Sequence, residues 1–229
     1  MTEATLIQNW KATCNRIETA ALRYGRDAKS VRLLAISKGQ PAEALRQIAQ
    51  SGQREFGENY LQEALAKIAA LTNLELTWHF TGQIQGNKTR PIAEHFHWAH
   101  TVDRERIALR LNEQRPAGAT PLNICIQVRL EDEPGKGGIE PEHVHALAAR
   151  ILEMPKLKLR GLMCIPPPRD SFDEQRELFA RLKSLHDDLR ARGFDIDTLS
   201  MGMSGDLDAA IAAGATLVRV GTAIFGERV

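Results

Sequence analysis

Two features of this chain have the residue types and placement for chemistry: a lysine that ends an apolar run, and a pair of glycine- and serine-rich turns near the C-terminus. The run is VRLLAISKGQP, Val31 to Pro41, apolar up to Lys38 and then broken by Gly39, Gln40 and Pro41. Alternation along a strand puts Leu34, Ile36 and Lys38 on one side and Leu33, Ala35 and Ser37 on the other. A lysine carried to the edge of an apolar interior has its neutral amine favoured by desolvation and can attack a carbonyl to form a Schiff base. The same spacing is met by a lysine whose stem lies along the strand end while its ammonium reaches water. Spacing alone leaves both readings open.

The turns are SMGMSGD, Ser200 to Asp206, which runs into a helical pattern, and VRVGTAIFG, Val218 to Gly226. A turn that opens a helix presents free backbone N–H groups and the positive end of the helix dipole, so it suits an anion. Ser204 and Thr222 add hydroxyl donors, and Gly202 and Gly221 let backbone approach a ligand closely. Ser204 alone reads as an N-cap and Gly221 alone as a turn residue; the two turns together point to a phosphate. Arg219 shares its parity with Leu217 and Gly221, so its guanidinium either meets a ligand or closes the sheet in a buried ion pair.

The histidines promise less. HFHWAH (His95, His97, His100) has the look of a metal cluster, but His95 ends a helical pattern and His97 and His100, an odd number apart, face opposite sides of a strand. His143 and His145 are two apart on a helix and do not face each other. No metal site is expected. His79, in TWHFTG near a strand end, is placed to meet a ligand. EDEPGKGGIE, Glu131 to Glu140, is glycine-rich but lacks the P-loop spacing and begins with acidic residues, which reads as a mobile loop.

The elements that must position these residues alternate. Strands are predicted at Val31–Ser37, Glu55–Gly57, Leu76–Thr81, His97–Thr101, Leu122–Val128, Lys158–Met163, Thr198–Met201 and Thr216–Val220. Helices are predicted at Ala42–Ser51, Leu61–Ala70, Lys88–His95, Glu105–Gln114, Glu142–Glu153, Phe172–Arg192 and Asp206–Ala213. An amphipathic helix over about 2–24, carrying Leu6, Trp10 and Ile17, precedes them. Eight strand–helix units in about 200 residues fit a single (β/α)8 TIM barrel over 1–229 with an extra N-terminal helix. The rival, a doubly wound open sheet, lacks its GxGxxG marker. In a barrel the chemistry lies at the C-terminal ends of the strands, where Lys38, GEN (Gly57–Asn59), WHFTGQIQGNK, SMGMSGD and VRVGT all fall.

Composition narrows the setting. The chain has 229 residues and a formal net charge of +1, from 30 Lys+Arg against 29 Asp+Glu. No basic block favours nucleic acid, and no apolar run approaches the roughly 18 to 20 residues of a membrane span. The N-terminus has no signal-peptide core, and Cys14, Cys125 and Cys164 form no CxxC pair, so a cytoplasmic protein without disulfides is expected.

LLAISKGQP, REFGENYLQEA, LTWHFTGQIQGNK, LRGLMCIPP and LSMGMSGDLDAAIAAGATLVRVGTAIFGER occur in that order. With these motifs the chain resembles, from about Val31 to Arg228, the pyridoxal 5′-phosphate (PLP) homeostasis protein family, itself similar to the N-terminal barrel domain of alanine racemase. The resemblance implies that Lys38 carries PLP as an internal aldimine. It implies that Ser204, Gly221 and Thr222 hold the phosphate with help from the backbone around Met203, and that Arg219 faces the pyridine nitrogen. By the same resemblance Asn59 and His79 lie against the ring, and Ser200 and Met201 line the pocket. Two stretches depart from the family pattern: Gly39-Gln40 stands where Thr-Lys or Thr-Val is common, and TGQIQGNK replaces Ile-Gly-x-Leu-Gln-Ser-Asn-Lys.

Two function classes follow. The resemblance implies a non-catalytic carrier that buffers PLP and delivers it to apo PLP-dependent enzymes, monomeric because the racemase's second domain is lacking. The alternative is an enzyme, either a weak PLP-dependent amino-acid racemase or a PLP-free Schiff-base aldolase using Lys38. An arginine only donates to the pyridine nitrogen and leaves it unprotonated, which weakens the electron sink and disfavours transamination and decarboxylation. Racemisation stays conceivable, since alanine racemases have the same arginine arrangement, but it needs two bases on opposite faces of the substrate carbon. The second base, a tyrosine in racemases, has no good substitute here, because Tyr24 and Tyr60 are the only tyrosines and Tyr60 is expected on a helix. Lys136, in the glycine-rich loop, is a candidate for a transient second PLP acceptor.

Overall fold

β1 (Arg32–Ile36), the RLLAI of the opening motif, is followed by α2 (Ala42–Gln50), and this unit repeats around the molecule. The computed structural model describes residues 2–131 and 137–226, so Lys136 lies outside the described residues. β2 (Glu55–Glu58) leads to α3 (Leu61–Ala70), β3 (Thr77–Phe80) to α4 (Thr89–His95), and β4 (Trp98–Val102) to α5 (Glu105–Gln114). β5 (Leu122–Gln127) leads to α6 (Val144–Leu152), β6 (Leu157–Met163) to α7 (Phe172–Ala191), and β7 (Thr198–Ser200) to α8 (Leu207–Ala212). After β8 (Leu217–Val220) comes a one-turn helix, α9 (Thr222–Phe225), and α1 (Glu3–Arg23) precedes the whole.

Among the described residues eight parallel strands close into a barrel in sequence order, with β8 pairing back onto β1 from Arg32↔Leu217 to Ala35↔Val220. This is the single (β/α)8 barrel with an N-terminal helix that the alternation predicted. Apolar residues on the outward side of each strand, Ala35, Phe56, Phe80, Ile124 and Val218 among them, bury against the helices in one continuous core. A second, small cluster of Trp98, Cys125 and Met163 fills the barrel interior. The split follows from strand alternation: one parity faces helices and the other faces the barrel axis. At Gly161 a Cβ would stand 1.8 Å from the Thr198 carbonyl oxygen, so only glycine lets β6 lie this close to β7.

The predicted elements shift by a residue or two at their ends, as helix and strand boundaries do. The largest difference is α9, where the sequence predicts only a glycine–threonine turn. The Gly221 carbonyl accepts from both the Ile224 and Phe225 N–H groups at 2.9 Å, and a helix this short shows no periodicity in sequence. No helix among the described residues is long and apolar enough to cross a membrane.

Candidate functional site

A cavity of about 360 Å³ opens at the C-terminal ends of the strands and brings together seven of the predicted residues: Lys38, Asn59, Met203, Ser204, Arg219, Gly221 and Thr222. Ile36, Thr81, Ile165 and Gly205 complete its wall. Ile36 and Lys38 both line it, as strand parity required. Asn59 is oriented by its neighbour, because the Thr81 hydroxyl donates to Asn59 Oδ1 at 3.0 Å and leaves the amide nitrogen for a ligand.

The β7 and β8 turns meet at the cavity. The Arg219 N–H donates to the Gly202 carbonyl at 2.9 Å, and Gly202 takes a φ of +92°, with no room for a Cβ beside Ala210. The Ile224 and Phe225 N–H groups donate to the Gly221 carbonyl, but the Thr222 and Ala223 N–H groups at the start of α9 have no acceptor within the helix, which leaves donors beside the Thr222 hydroxyl. The Met203 N–H already donates to Asp206 Oδ1 at 2.5 Å. α1 supports the Ser204 turn from behind: Arg16 donates to the Ser204 carbonyl at 2.9 Å and pairs with Asp208.

Arg219 is only 4% exposed and is held by three hydrogen bonds, to the Ser200 carbonyl at 2.7 Å, the Ser200 hydroxyl at 3.0 Å and the Cys164 carbonyl at 2.9 Å. Among the described residues no carboxylate pairs with it; the partners are neutral oxygens. From Ser200 a polar column runs down the barrel axis: Ser200 Oγ lies 2.9 Å from His100 Nδ1, and His100 Nε2 lies 2.9 Å from His79 Nδ1. His79 Nε2 ends the column 3.5 Å from Glu55, itself bonded to Arg32 at the opposite rim. An arginine can only donate, so one assignment satisfies the chain: Arg219 to Ser200, Ser200 to His100, His100 to His79, His79 toward Glu55. That assignment needs both imidazoles neutral. Burial, helped by the nearby Arg219 and Arg32 guanidinium groups, holds His100 well below the ordinary histidine range. His79 is lowered in the same way by burial, His100 and Arg32.

His79, Ser200 and Met201 are therefore fully buried and are not part of the cavity wall. His79 stacks on Trp98 at 5.2 Å inside the barrel, one level below the rim, because its strand runs on through Phe80 before the chain turns. Ser200 reaches the site through Arg219. Met201 belongs to the core against the helices. Tyr60, expected on a helix, stands at the N-cap of α3 with 56% of its surface exposed. Sequence reasoning missed Thr81, which WHFTGQ contains, and Ile165, for which no polar signal exists. It also gave His100 no role beyond packing or surface placement. The described residues contain no cluster of His, Cys, Asp and Glu able to hold a metal.

Lys38 itself lies beyond β1 in a tight turn, where the Gln40 N–H donates to the Ser37 carbonyl at 3.0 Å and Gly39 takes a φ of +76°. Behind it, between the barrel wall and α3, sits a buried ion cluster. Lys67 donates to Glu58 Oε1 at 2.7 Å and to the Ser37 carbonyl at 2.6 Å, and it pairs with Glu63. The Ser37 hydroxyl adds a 2.6 Å bond to Glu58 Oε1. Burial raises the Glu58 carboxyl, and the hydrogen bonds from Lys67 and Ser37 oppose that shift.

Residues 13–229 match the family model described as alanine racemase, N-terminal domain. The pyridoxal phosphate homeostasis protein of Pseudomonas aeruginosa is 55% identical over 225 residues, covering 98% of this chain and 96% of its own length. The protein of that name from Escherichia coli K12 is 50% identical over 217 residues and 93% of each chain. The chain belongs to the pyridoxal phosphate homeostasis protein family. Among solved structures, PipY of Synechococcus elongatus PCC7942 with PLP bound is similar at 40% identity and a TM-score of 0.80, over 91% of this chain and 98% of its own. Alanine racemase from Clostridium difficile 630 shares the barrel at 14% identity and a TM-score of 0.75; the match spans 98% of this chain and 57% of the racemase and shows the fold alone. Gly39 takes a φ of +76°, where a β-branched residue such as threonine would be strained.

Proposed function

We propose that this chain binds PLP through Lys38 and holds it for intracellular supply, without turning over a substrate. The observation that supports this best is the cavity wall. It offers an amine (Lys38), a fixed guanidinium (Arg219), two hydroxyls beside a helix start (Ser204 and Thr222) and a free carboxamide nitrogen (Asn59). These match an aldehyde, a ring acceptor, a phosphate and a ring substituent of one small molecule. Lys38 would hold PLP at its aldehyde carbon, and the group would supply there an electrophile for the lysine amine, with Arg219, Ser204, Thr222 and Asn59 orienting its ring and phosphate. The PLP-bound PipY structure and the names of the bacterial relatives support the same ligand.

The same wall supports holding over turnover. Arg219 stays protonated and can only donate to a ring nitrogen, which leaves the ring a weak electron sink. Apart from Lys38, the described cavity lining has no carboxylate, histidine or tyrosine to serve as a second base. Ser200 and His79 support the ligand from below through Arg219 and the barrel interior, and Met201 supports the β7 turn from the core against the helices. The reading extends to a single cytoplasmic unit over 1–229, monomeric, that gives PLP up to apo PLP-dependent enzymes.

Borohydride reduction of the PLP-loaded protein, followed by peptide mapping, is expected to fix the cofactor on the peptide carrying Lys38. Failure to take up PLP, or a label on another lysine, would refute the reading. A chiral assay on alanine and other amino acids should show no turnover above that of free PLP. Clear turnover would favour the weak racemase instead.

A further inference from the structure

We propose that Glu63, acting with Lys67 and Glu58, is a positioning residue that clamps the turn presenting Lys38 to the cavity. The inference rests on the reading of Lys38 as the cofactor lysine. Lys38 is flanked by Ser37 and Gly39, and both neighbours are tied to the same cluster. The Gly39 N–H donates to Glu63 Oε1 at 2.6 Å. The Ser37 carbonyl accepts from Lys67 Nζ at 2.6 Å, and the Ser37 hydroxyl donates to Glu58 at 2.6 Å. Lys67 spends all three of its donors here, on Ser37, Glu58 and Glu63. The cluster thus cross-links the end of β1, the end of β2 and the first two turns of α3 around one residue.

Its composition calls for a reason other than stability. Glu58 is fully buried and Lys67 is 4% exposed, between a barrel wall and a helix where apolar packing is the rule. A buried ion pair is often no more stabilising than apolar side chains of the same volume, whereas its hydrogen bonds fix direction. A lysine on a flexible stem at the end of a strand gains most from a fixed backbone, since ordering it on binding would otherwise weaken affinity. Glu63 is the member that touches the turn backbone directly at Gly39, and it lies part-exposed on α3, where alanine keeps the helix.

The test compares wild type, Glu63→Ala and Glu63→Gln in two measurements. In the apo protein, amide hydrogen exchange at Gly39 should speed up in Glu63→Ala, while Glu63→Gln, whose carbonyl oxygen still accepts, stays near wild type. In a PLP titration, Kd should rise about tenfold or more in Glu63→Ala, the worth of one charge-assisted hydrogen bond, and recover in Glu63→Gln. The apo melting temperature, measured alongside, should remain close to that of wild type. Unchanged exchange at Gly39 overturns the clamp, and so does faster exchange with wild-type PLP affinity. If wild type itself takes up no PLP, the cofactor reading falls, and the exchange measurement still decides whether Glu63 holds the turn.

Discussion

Replacing Lys67 with methionine is expected to lower folding stability by about 3–5 kcal/mol, a large share of what a domain of this size has in reserve. The loss comes from what the substitution leaves behind. Glu58 Oε1 would keep only the Ser37 hydroxyl, and Glu58 Oε2 already has no hydrogen-bond partner. The Ser37 carbonyl would lose one of its two donors. A buried carboxylate without its cation costs far more than the pair contributes, because desolvation is no longer offset. The second half of the prediction follows: adding Glu58→Met to Lys67→Met should recover much of the loss. Urea unfolding of the two single variants and the double variant closes the cycle. A Lys67→Met protein within about 1 kcal/mol of wild type would mean that the cluster is solvated and not the buried lock described above.

The second large effect is on acid stability. His79 and His100 are neutral in the folded barrel because burial lowers both well below the ordinary value near 6.5. Unfolded, each takes a proton as the pH falls past roughly 6.5, while the folded forms do not. The unfolded state then binds more protons, so stability drops as pH drops, by roughly 3–4 kcal/mol between pH 7 and pH 5 for the pair. His97 and His186, also lowered by burial, act with the same sign. Glu58, whose carboxyl burial raises, acts with the opposite sign and offsets part of the loss. The groups facing the two imidazoles are Arg219, Arg32, His97, Ser200, Trp98 and Glu55; the one carboxylate, Glu55, lies 3.5 Å from His79 and is shared with Arg32, so burial and the neighbouring cations prevail and both rings stay neutral. Unfolding free energies at pH 7, 6 and 5 should therefore fall steeply in wild type, and more gently in a His79→Asn, His100→Asn variant. Parallel profiles would show that the column is protonated or open to water in the folded state.

How much of this was legible beforehand depended on whether a residue's role was local. The parity of Leu34 and Ile36 in β1, continued to Lys38 just beyond it, is a local property, and Lys38 lines the cavity at the rim of the barrel. The turns around Ser204 and Gly221 were legible for the same reason, because Gly and Ser before a helix have meaning without their neighbours in space. Lys67 illustrates the opposite case. On α3 it reads as an ordinary charge in the last turn of an amphipathic helix, and only the closure of β1 on β2 reveals that it is buried. His100 was similarly hidden, since nothing along the chain says that β3, β4 and β7 bring His79, His100 and Ser200 into one line. His79 and Ser200 were singled out by their motifs, but the depth at which each sits is set by strand stagger, which a sequence does not display.

One structural theme joins both expected effects. The cavity offers donors directly, while the residues that hold those donors lie one layer back, in the barrel axis under Arg219 and behind the wall under Lys38. The proposed holding of a reactive aldehyde asks for this arrangement: an amine at the rim, a fixed guanidinium and, in the described cavity lining, no carboxylate, histidine or tyrosine as a second base.

The most direct test of the account is the absorption spectrum of the purified protein mixed with PLP, recorded for wild type and for Lys38→Ala. The account predicts that wild type develops and retains through gel filtration a visible band distinct from that of free PLP. Lys38→Ala should keep its fold but lose that band and the tightly held cofactor. A Lys38→Ala protein that retains the band, or a wild type that shows none, would contradict it.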